Sequence, residues 1–340
     1  MYTESNSRLS GQKLQQWQRF LAAAALKADT DTDQTVTVWD DGEIIACGSR
    51  KGNLLKCIAV DPARQGEGLT ATVLTELKQE AFREGHKQLF LYTKPRNRML
   101  FGPLFFYPVA QTDQVLLMES TRNGIDQFLK RLSPDPAEER KAVNTDPEKR
   151  DRIGCIVMNA DPFTKGHQYL VEKAAEFCGF LYVFVLSEDK GTFSAEERME
   201  LVKAGTAHLE NVKVYPTGEY LISSATFPKY FLKDQETAQR EHYLLDLAVF
   251  TQRFVPHFGI THRFAGTEPT CAVTGGYNRA MAEILPQAGV EFVEIPRKQE
   301  LDTAISASTV RKEMAAGNLD ALQKLVPEAT YRCIANKIHR

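Results

Sequence analysis

The sequence predicts an α/β chain in two parts: an α+β domain over residues 1–130, and a doubly wound parallel-sheet domain over residues 151–340. Three observations carry this expectation. Before residue 131, strand-like runs follow one another closely, two of them across a hairpin turn. After residue 150, short apolar runs alternate with helical periods, the order expected of βα units in an open parallel sheet. Between them, residues 131–150 (RLSPDPAEERKAVNTDPEKR) hold three prolines, many charges and almost no large apolar side chains, which is linker composition.

In the first part, Ser10 is placed to cap a helix whose apolar residues Leu14, Trp17, Leu21 and Ala24 follow helical spacing. Thr35–Trp39 and Glu43–Cys47 read as strands joined by an Asp41-Gly42 turn. Leu54–Val60 is a third strand. The glycine-bearing turn RQGEGL then opens a helix with Val73, Leu74, Leu77 and Ala81 on one face, ended by Gly85. Strands Gln88–Thr93 and Val115–Glu119 bracket a short helical piece. The mixture is α+β.

In the second part, Ile153–Met158 is a short, fully apolar run, as a buried parallel strand requires. A helix over 166–178 and a strand over 181–186 follow. Ser194 and Glu197 have capping-box spacing at the start of the next helix. Strands over 212–215, 262–265 and 290–295 alternate with helices over 242–254 and 277–285, and a pair of helices closes the chain. Sheets of this kind bind ligands at the carboxyl ends of their strands, beside helix N-termini.

Composition narrows the function. The 340 residues exceed one ordinary core, and 43% apolar with 25% charged residues is globular rather than disordered. A net charge of −2 gives no general attraction to nucleic acid or anionic membrane. No apolar run approaches the roughly 20 residues that cross a bilayer, and the N-terminus carries no signal-peptide core, so a cytoplasmic protein is expected. Cys47, Cys57, Cys155, Cys178, Cys271 and Cys333 form no C-x-x-C pair and read as small buried apolar residues.

Two motifs carry chemistry. NADPFTKGHQYL follows the first strand of the second part. His167 falls in the first turn of a helix, on the stripe of Leu170, Val171 and Ala174, where a core histidine is the ordinary reading. The helix N-terminus, the Thr164 hydroxyl, the Lys165 cation and the close backbone approach offered by Gly166 together make a phosphate site instead. Near the C-terminus, ISASTVRKEM clusters Ser306, Ser308 and Thr309 before a helix with Arg311 in its first turn. A cap, for which Ser308 is a candidate, needs one hydroxyl; three and a guanidinium make a second phosphate cradle. Arg198 lies on the apolar stripe of Leu201, Val202 and Gly205 and wants an anionic partner, either a ligand phosphate or a carboxylate. Two readings also stand for Gly266–Pro269, a pocket-lining loop or a plain turn. Gly276, Tyr277 and Asn278 touch substrate or only begin a helix.

NADPFTKGH resembles the T/H-x-G-H signature of the nucleotidyltransferase superfamily, and ISASTVR its I-S-x-S-x-x-R signature, in the superfamily's order. GTEPTCAVTGGYNRAM, VEFVEIPRKQ and the domain in front are similar to the citrate lyase ligase family, over nearly the whole chain. The resemblance implies a Rossmann-like nucleotidyltransferase domain that converts acetate and ATP into acetyl-adenylate and pyrophosphate. The acetyl group then passes to a thiol on the acyl carrier (gamma) subunit of citrate lyase, that of its phosphoribosyl-dephospho-coenzyme A group, and citrate lyase becomes active. By resemblance, His167 and Thr164 hold the α- and β-phosphates, and Asn159 meets the reacting group at the strand end. Ser306, Ser308, Thr309 and Arg311 hold the leaving pyrophosphate, while Lys165 stands at a variable position of the signature. His167, Thr164 and Arg311 are the implied catalytic set. Mg2+ arrives with ATP; the sequence marks no metal cage, and Asp161 is either an outer-shell contact or solvent-facing.

The first domain, with RQGEGL between strand and helix, resembles a GNAT acetyltransferase, whose corresponding loop binds coenzyme A pyrophosphate through backbone N–H groups. Gly66 and Gly68 fit that pattern. Its first position falls on Ala63, with Arg64 adjacent, and this departure puts catalytic use of acetyl-coenzyme A in doubt. Arg64, Gly66 and Gly68 are expected to bind the coenzyme A-like arm of the carrier, unless the turn serves structure alone. Other readings are an adenylyltransferase with a nucleotide or phosphopantetheine acceptor, a regulatory binding module with an inactive nucleotide domain, and a plain acetyltransferase with a helper domain.

Overall fold

A computed structural model of the chain describes residues 1–338 apart from 142, 144–145, 190, 222–226, 233, 269–271 and 301–302. It divides into two compact units. The first comprises Met1–Gly124 with Phe227–Leu245, and the second Ile125–Thr226 with Asp246–Arg340.

The first unit runs β1(Tyr2–Asn6), α1(Gly11–Ala23), β2(Gln34–Asp40), β3(Glu43–Lys51), β4(Leu54–Val60), α2(Leu69–Arg83), β5(Phe90–Thr93), α3(Arg98–Phe101), β6(Tyr107–Gln111), β7(Leu116–Glu119). Its seven strands form one sheet in the order β1-β2-β3-β4-β5-β7-β6. The β2–β3 turn has Asp41 and Gly42 both at positive φ (47° and 81°), the paired left-handed conformation that matches strand twist in a two-residue hairpin. Val73, Leu74, Leu77 and Ala81 of α2 are buried in a core shared with Val36, Leu55 and Leu91. Ser10 stands at the N-cap of α1 but makes no side-chain cap bond; burial of Trp17 and Leu21 holds that helix.

The sequence pattern did not reveal β1 and β6. Both are edge strands. β1 (YTESN) has no apolar alternation and pairs only with β2, and β6 contains Pro108, which an edge tolerates because no second neighbour needs its amide. The one parallel pair, β4 with β5, joins Leu54 to Phe90 and Leu55 to Leu91 and goes no further among the described residues. The carboxyl halves of these strands therefore part.

The chain continues with α4(Gly124–Leu132), α5(Pro136–Lys141), β8(Ile153–Met158), α6(Lys165–Phe177), β9(Phe180–Val185), α7(Ala195–Thr206), β10(Val212–Pro216) and α8(Gln235–Val249), of which Gln235–Leu245 belong to the first unit. Then come α9(Val255–Phe258), β11(His262–Gly266), α10(Ala272–Ile284), β12(Glu291–Ile295), the short β13(Gln299–Glu300) and β14(Thr303–Ala304), α11(Ala307–Ala315), α12(Leu319–Leu325) and α13(Glu328–Ile338). The stretch with linker composition thus carries α5, and three closing helices stand where two were expected. No helix among the described residues is long and apolar enough to cross a membrane.

The five-stranded sheet is parallel throughout, in the order β10-β9-β8-β11-β12. The chain starts at the centre with β8, winds outward through β9 and β10, then returns to β11 on the other side. The topological switch point lies between β8 and β11, where such sheets bind ligands. These two strands pair at His262 with Gly154 and at Arg263 with Cys155, and nowhere further along among the described residues. Val171 and Ala174 of α6 close one face of the sheet with Ile156, Met158 and Phe264. Of the cysteines, Cys47, Cys57, Cys155 and Cys178 are buried and Cys333 is half-buried; Cys271 lies outside the described residues.

Candidate functional site

A pocket of about 490 Å³ opens where β8 and β11 part. Its volume is in the usual range for a nucleotide-sized ligand. Four cationic side chains line it, Arg263, Arg297, Lys298 and Arg311, against two carboxylates, Asp161 and Glu268. The balance favours an anionic guest.

The N-terminus of α6 forms one wall. Thr164 caps it: its Oγ1 accepts from the His167 amide at 3.2 Å. His167 reciprocates, its Nδ1 accepting from the Thr164 amide at 3.1 Å. A backbone N–H can only donate, so Nδ1 carries no proton and the neutral ring bears its hydrogen on Nε2. The ring stacks on buried Phe163, with centroids 5.8 Å apart. Loss of solvation first, and the Arg297 guanidinium second, push the His167 pKa down from 6.5 to about 4. His167 is therefore a neutral hydrogen-bond donor at physiological pH, beside the free amides and partial positive charge of a helix start.

The second wall is the N-terminus of α11. Ser306, not Ser308, is its cap: Ser306 Oγ accepts from the Thr309 amide at 3.1 Å. The same oxygen lies 2.8 Å from both Ser308 Oγ and Thr309 Oγ1. Ser306 and Ser308 line the pocket; Thr309 does not, and braces Ser306 from behind. The two walls touch at Gly166. A Cβ there would stand 2.9 Å from the Ile305 carbonyl oxygen, so glycine at 166 lets the two helix starts converge.

Asn159 follows β8 and lines the pocket. Its orientation comes from Arg198, whose Nη1 donates to both the backbone oxygen and Oδ1 of Asn159, each at 2.8 Å. Arginine only donates, so the Asn159 amide must turn Oδ1 toward Arg198 and present Nδ2 on its other edge. Arg198 is fully buried and also donates to the carbonyls of Phe193 and Glu188. The sequence left Arg198 between a ligand phosphate and a carboxylate. In the structure its hydrogen bonds go to carbonyl oxygens, and it stands behind Asn159 without lining the pocket.

Arg311 is partly exposed on the pocket wall, donates to the Asp161 carbonyl and lies 3.7 Å from the Asp161 carboxylate. That carboxylate accepts from the amides of Thr192 (3.1 Å) and Phe193 (2.9 Å), so Asp161 is a buried brace rather than solvent-facing. Lys165 turns away, its Nζ donating to the Gln323 carbonyl at 3.0 Å. Among the loop residues, Gly266 and Glu268 line the pocket, with Glu268 paired to Arg297; Pro269 lies outside the described residues. Tyr277 and Asn278 also line it. Sequence reading missed Arg263, Arg297 and Lys298. No group of three His, Cys, Asp or Glu among the described residues is placed to hold a metal ion.

In the first unit, a smaller cavity of about 220 Å³ lies where β4 and β5 part, lined by Val60, Gln65, Leu91 and Thr93 and by Tyr230 and Phe231 of the returning segment. Gly66 and Gly68, at φ 92° and 77°, form the turn leading from β4 into α2. Arg64 is occupied: it bonds Glu67 and Asp40, each at 2.8 Å.

Comparison with known proteins adds the following. The family model described as the citrate lyase ligase C-terminal domain matches residues 153–334, and that of the acetyltransferase (GNAT) family matches residues 2–99. A citrate (pro-3S)-lyase ligase of Klebsiella pneumoniae is 40% identical over 317 residues, covering 92% of this chain and 90% of the relative. Its counterpart in Escherichia coli K12 is 38% identical over 335 residues, covering 97% and 92%. A phosphopantetheine adenylyltransferase of Streptococcus gordonii is 33% identical over 107 residues, 30% of this chain and 65% of the relative.

Proposed function

The chain belongs to the citrate lyase ligase family, and from that premise we propose that it activates citrate lyase by ATP-dependent acetylation, with ATP held in the pocket between β8 and β11. The observation that supports this most is the convergence of two capped helix starts, α6 and α11, on one cation-lined pocket at the switch point of a parallel sheet.

In the first step a carboxylate oxygen of acetate attacks the α-phosphorus of ATP. The bond from that phosphorus to the β-bridging oxygen breaks, and pyrophosphate leaves with the electron pair. No proton moves, so the protein's task is alignment and charge stabilisation. His167 Nε2–H and the Asn159 amide donate to the α-phosphate as its charge shifts. Thr164 fixes the His167 tautomer. Ser306, Ser308 and Arg311 receive the pyrophosphate. Arg198, Thr309, Lys165 and Gly166 act one layer back by holding Asn159, Ser306, α6 and the approach of the two helices. Magnesium carried on the triphosphate would neutralise part of its charge; the Asp161 carboxylate already accepts from two amides and lies beside Arg311.

In the second step the carrier-protein thiol, giving its proton to solvent, attacks the acetyl carbonyl carbon. The bond to AMP breaks and the thioester forms. The thiol belongs to a coenzyme A-like arm on the citrate lyase acyl carrier subunit. The opening between β4 and β5, with the Gly66–Gly68 turn, receives that arm. Arg64 shapes the turn through Asp40 and Glu67 and does not itself grip the ligand.

Exchange of labelled pyrophosphate into ATP tests the first step. The expected result is exchange that requires acetate. Exchange that requires phosphopantetheine instead would replace this reading with an adenylyltransferase. His167→Ala should lower the acetate-dependent rate by about a hundredfold, the usual loss on removing one preorganised donor; a folded variant within threefold of wild type removes His167 from the reacting phosphate.

A further inference from the structure

Arg263 is the least explained charge in the second unit. It is 4% exposed, yet it lines the pocket. Strand alternation directs it away from the α6 core, into which its neighbour Phe264 packs. Among the described residues its Nη1 meets only the Cys155 sulfur, at 3.2 Å, and its guanidinium carbon lies 4.7 Å from the centre of the Phe250 ring. Its Nε is buried without a hydrogen-bond partner, and no carboxylate of the described residues lies within 4.0 Å of the guanidinium. Nearby, one oxygen of the Asp246 carboxylate accepts from the Tyr277 hydroxyl.

A buried cation without an anion is costly, and a thiol and an aromatic face compensate little of the lost hydration. Such a group is retained most readily where a ligand supplies the missing charge. Its depth tells which ligand. Arg263 pairs with Cys155, three residues before the end of β8 at Met158, which is roughly 10 Å deeper along the strand than the helix starts that suit phosphates. The Phe250 ring and Cys155 lie against the guanidinium, away from the helix starts, so a short acid suits this end of the pocket better than a triphosphate.

We infer that Arg263 is the carboxylate-binding residue of a short-chain monocarboxylate subsite at the floor of the pocket, between the parted strands β8 and β11. It holds the acid by charge-assisted hydrogen bonds, with one carboxylate oxygen directed toward the phosphate end of the pocket. This rests on the acetate-activating reading of the same pocket.

The test is the dependence of pyrophosphate exchange on acetate and on ATP, measured separately for the wild type, Arg263→Met and Arg263→Lys, each checked for a cooperative melt. Met keeps length and apolar packing against Phe250 and removes the charge. It should raise the acetate KM about tenfold or more, the loss expected for a hydrogen bond to a charged group, with the ATP KM within about threefold. Lys keeps the charge and loses the planar fork, so its acetate KM should fall between the two. Should the Met variant not fold, the Lys variant decides alone, with an acetate KM at least about threefold above wild type expected. An unchanged acetate KM in a folded variant overturns the inference, as does a rise confined to the ATP KM. A wild type without acetate-dependent exchange removes the underlying reading instead, and the inference with it.

Discussion

His167 is held through its Nδ1 atom. Nδ1 accepts from the Thr164 amide, so protonating the ring would set an N–H against an N–H and break the cap. The sign of the pH effect follows. A folded-state pKa of about 4 against an ordinary 6.5 means that the unfolded chain binds the extra proton first as pH falls. The stability contributed by the neutral ring is complete above pH 6.5 and is lost as pH drops toward 4. In a histidine-labelled NMR titration, with His167→Gln for assignment, the His167 resonances should stay those of the Nε2–H tautomer with a midpoint below 5. A midpoint near 6.5 would show that the Thr164 bond does not govern the ring. The place of this residue at a helix start was legible because its partners are local: Thr164, Gly166 and His167 form one turn. Arg263, Arg297 and Lys298 were not, since their meaning depends on which strand lies beside which. One signal was available at Arg263. Like Arg198 on its apolar stripe, it is a cation beside apolar residues, here Phe264 and Ala265, and the reasoning applied to Arg198 extends to HRFAG. That reasoning found a buried cation at 198 but not its partners, because carbonyl oxygens are invisible in a residue pattern.

In the proposed mechanism helix starts, rather than single side chains, hold the phosphates, and Gly166 lets them converge. Alanine is the better helix former, so Gly166→Ala should strengthen α6 locally by up to about 1 kcal/mol. Its Cβ, however, would lie 2.9 Å from the Ile305 oxygen, closer than such contacts are found. The start of α11 must then retreat by a few tenths of an ångström, carrying Ser306 and Ser308 with it. The expected phenotype is a cooperative melt near that of wild type, with acetate-dependent exchange lowered about tenfold. Full exchange in this variant would show that the spacing of the two helix starts does not matter. The capping box at Ser194–Glu197 could be read from sequence because it spans four residues and ends on the usual glutamate; that at Thr164–His167 was not read, because its reciprocal partner is a histidine. The contact of Gly166 with Ile305 could not, because the residues lie far apart along the chain and only the sheet order brings them together. The edge strands β1 and β6 escaped for a different reason: a strand with one neighbour and little burial needs neither alternation nor a free amide at every position.

At the scale of the whole chain, the sequence of domains is not the sequence of folding units. Composition placed a boundary at 131–150, whereas the first compact unit takes back Phe227–Leu245 after the second has begun. Within that unit the returned segment is integral. Phe227 packs edge-on against Tyr92, the Tyr230 hydroxyl donates to the Tyr92 carbonyl at 3.3 Å, and the Tyr230 carbonyl accepts from Lys27 at 2.8 Å. Tyr230 and Phe231 also line the cavity between β4 and β5. A fragment ending at residue 130 would therefore lose part of that cavity, and binding belongs to the full chain. Calorimetric titration of the full chain with dephospho-coenzyme A should give heat at sub-millimolar to millimolar concentration, a binding free energy of about 4–5 kcal/mol. Val60→Trp, which fills the cavity from β4, should abolish that heat while leaving acetate-dependent pyrophosphate exchange intact, because the proposed adenylation site is built from residues of the second unit. Loss of both in the variant would mean that the substitution has damaged the protein beyond the cavity, and Val60→Phe would then repeat the comparison. No heat with the wild type up to millimolar ligand would leave the opening between β4 and β5 as architecture alone, and the carrier arm would have to reach the adenylate by another route.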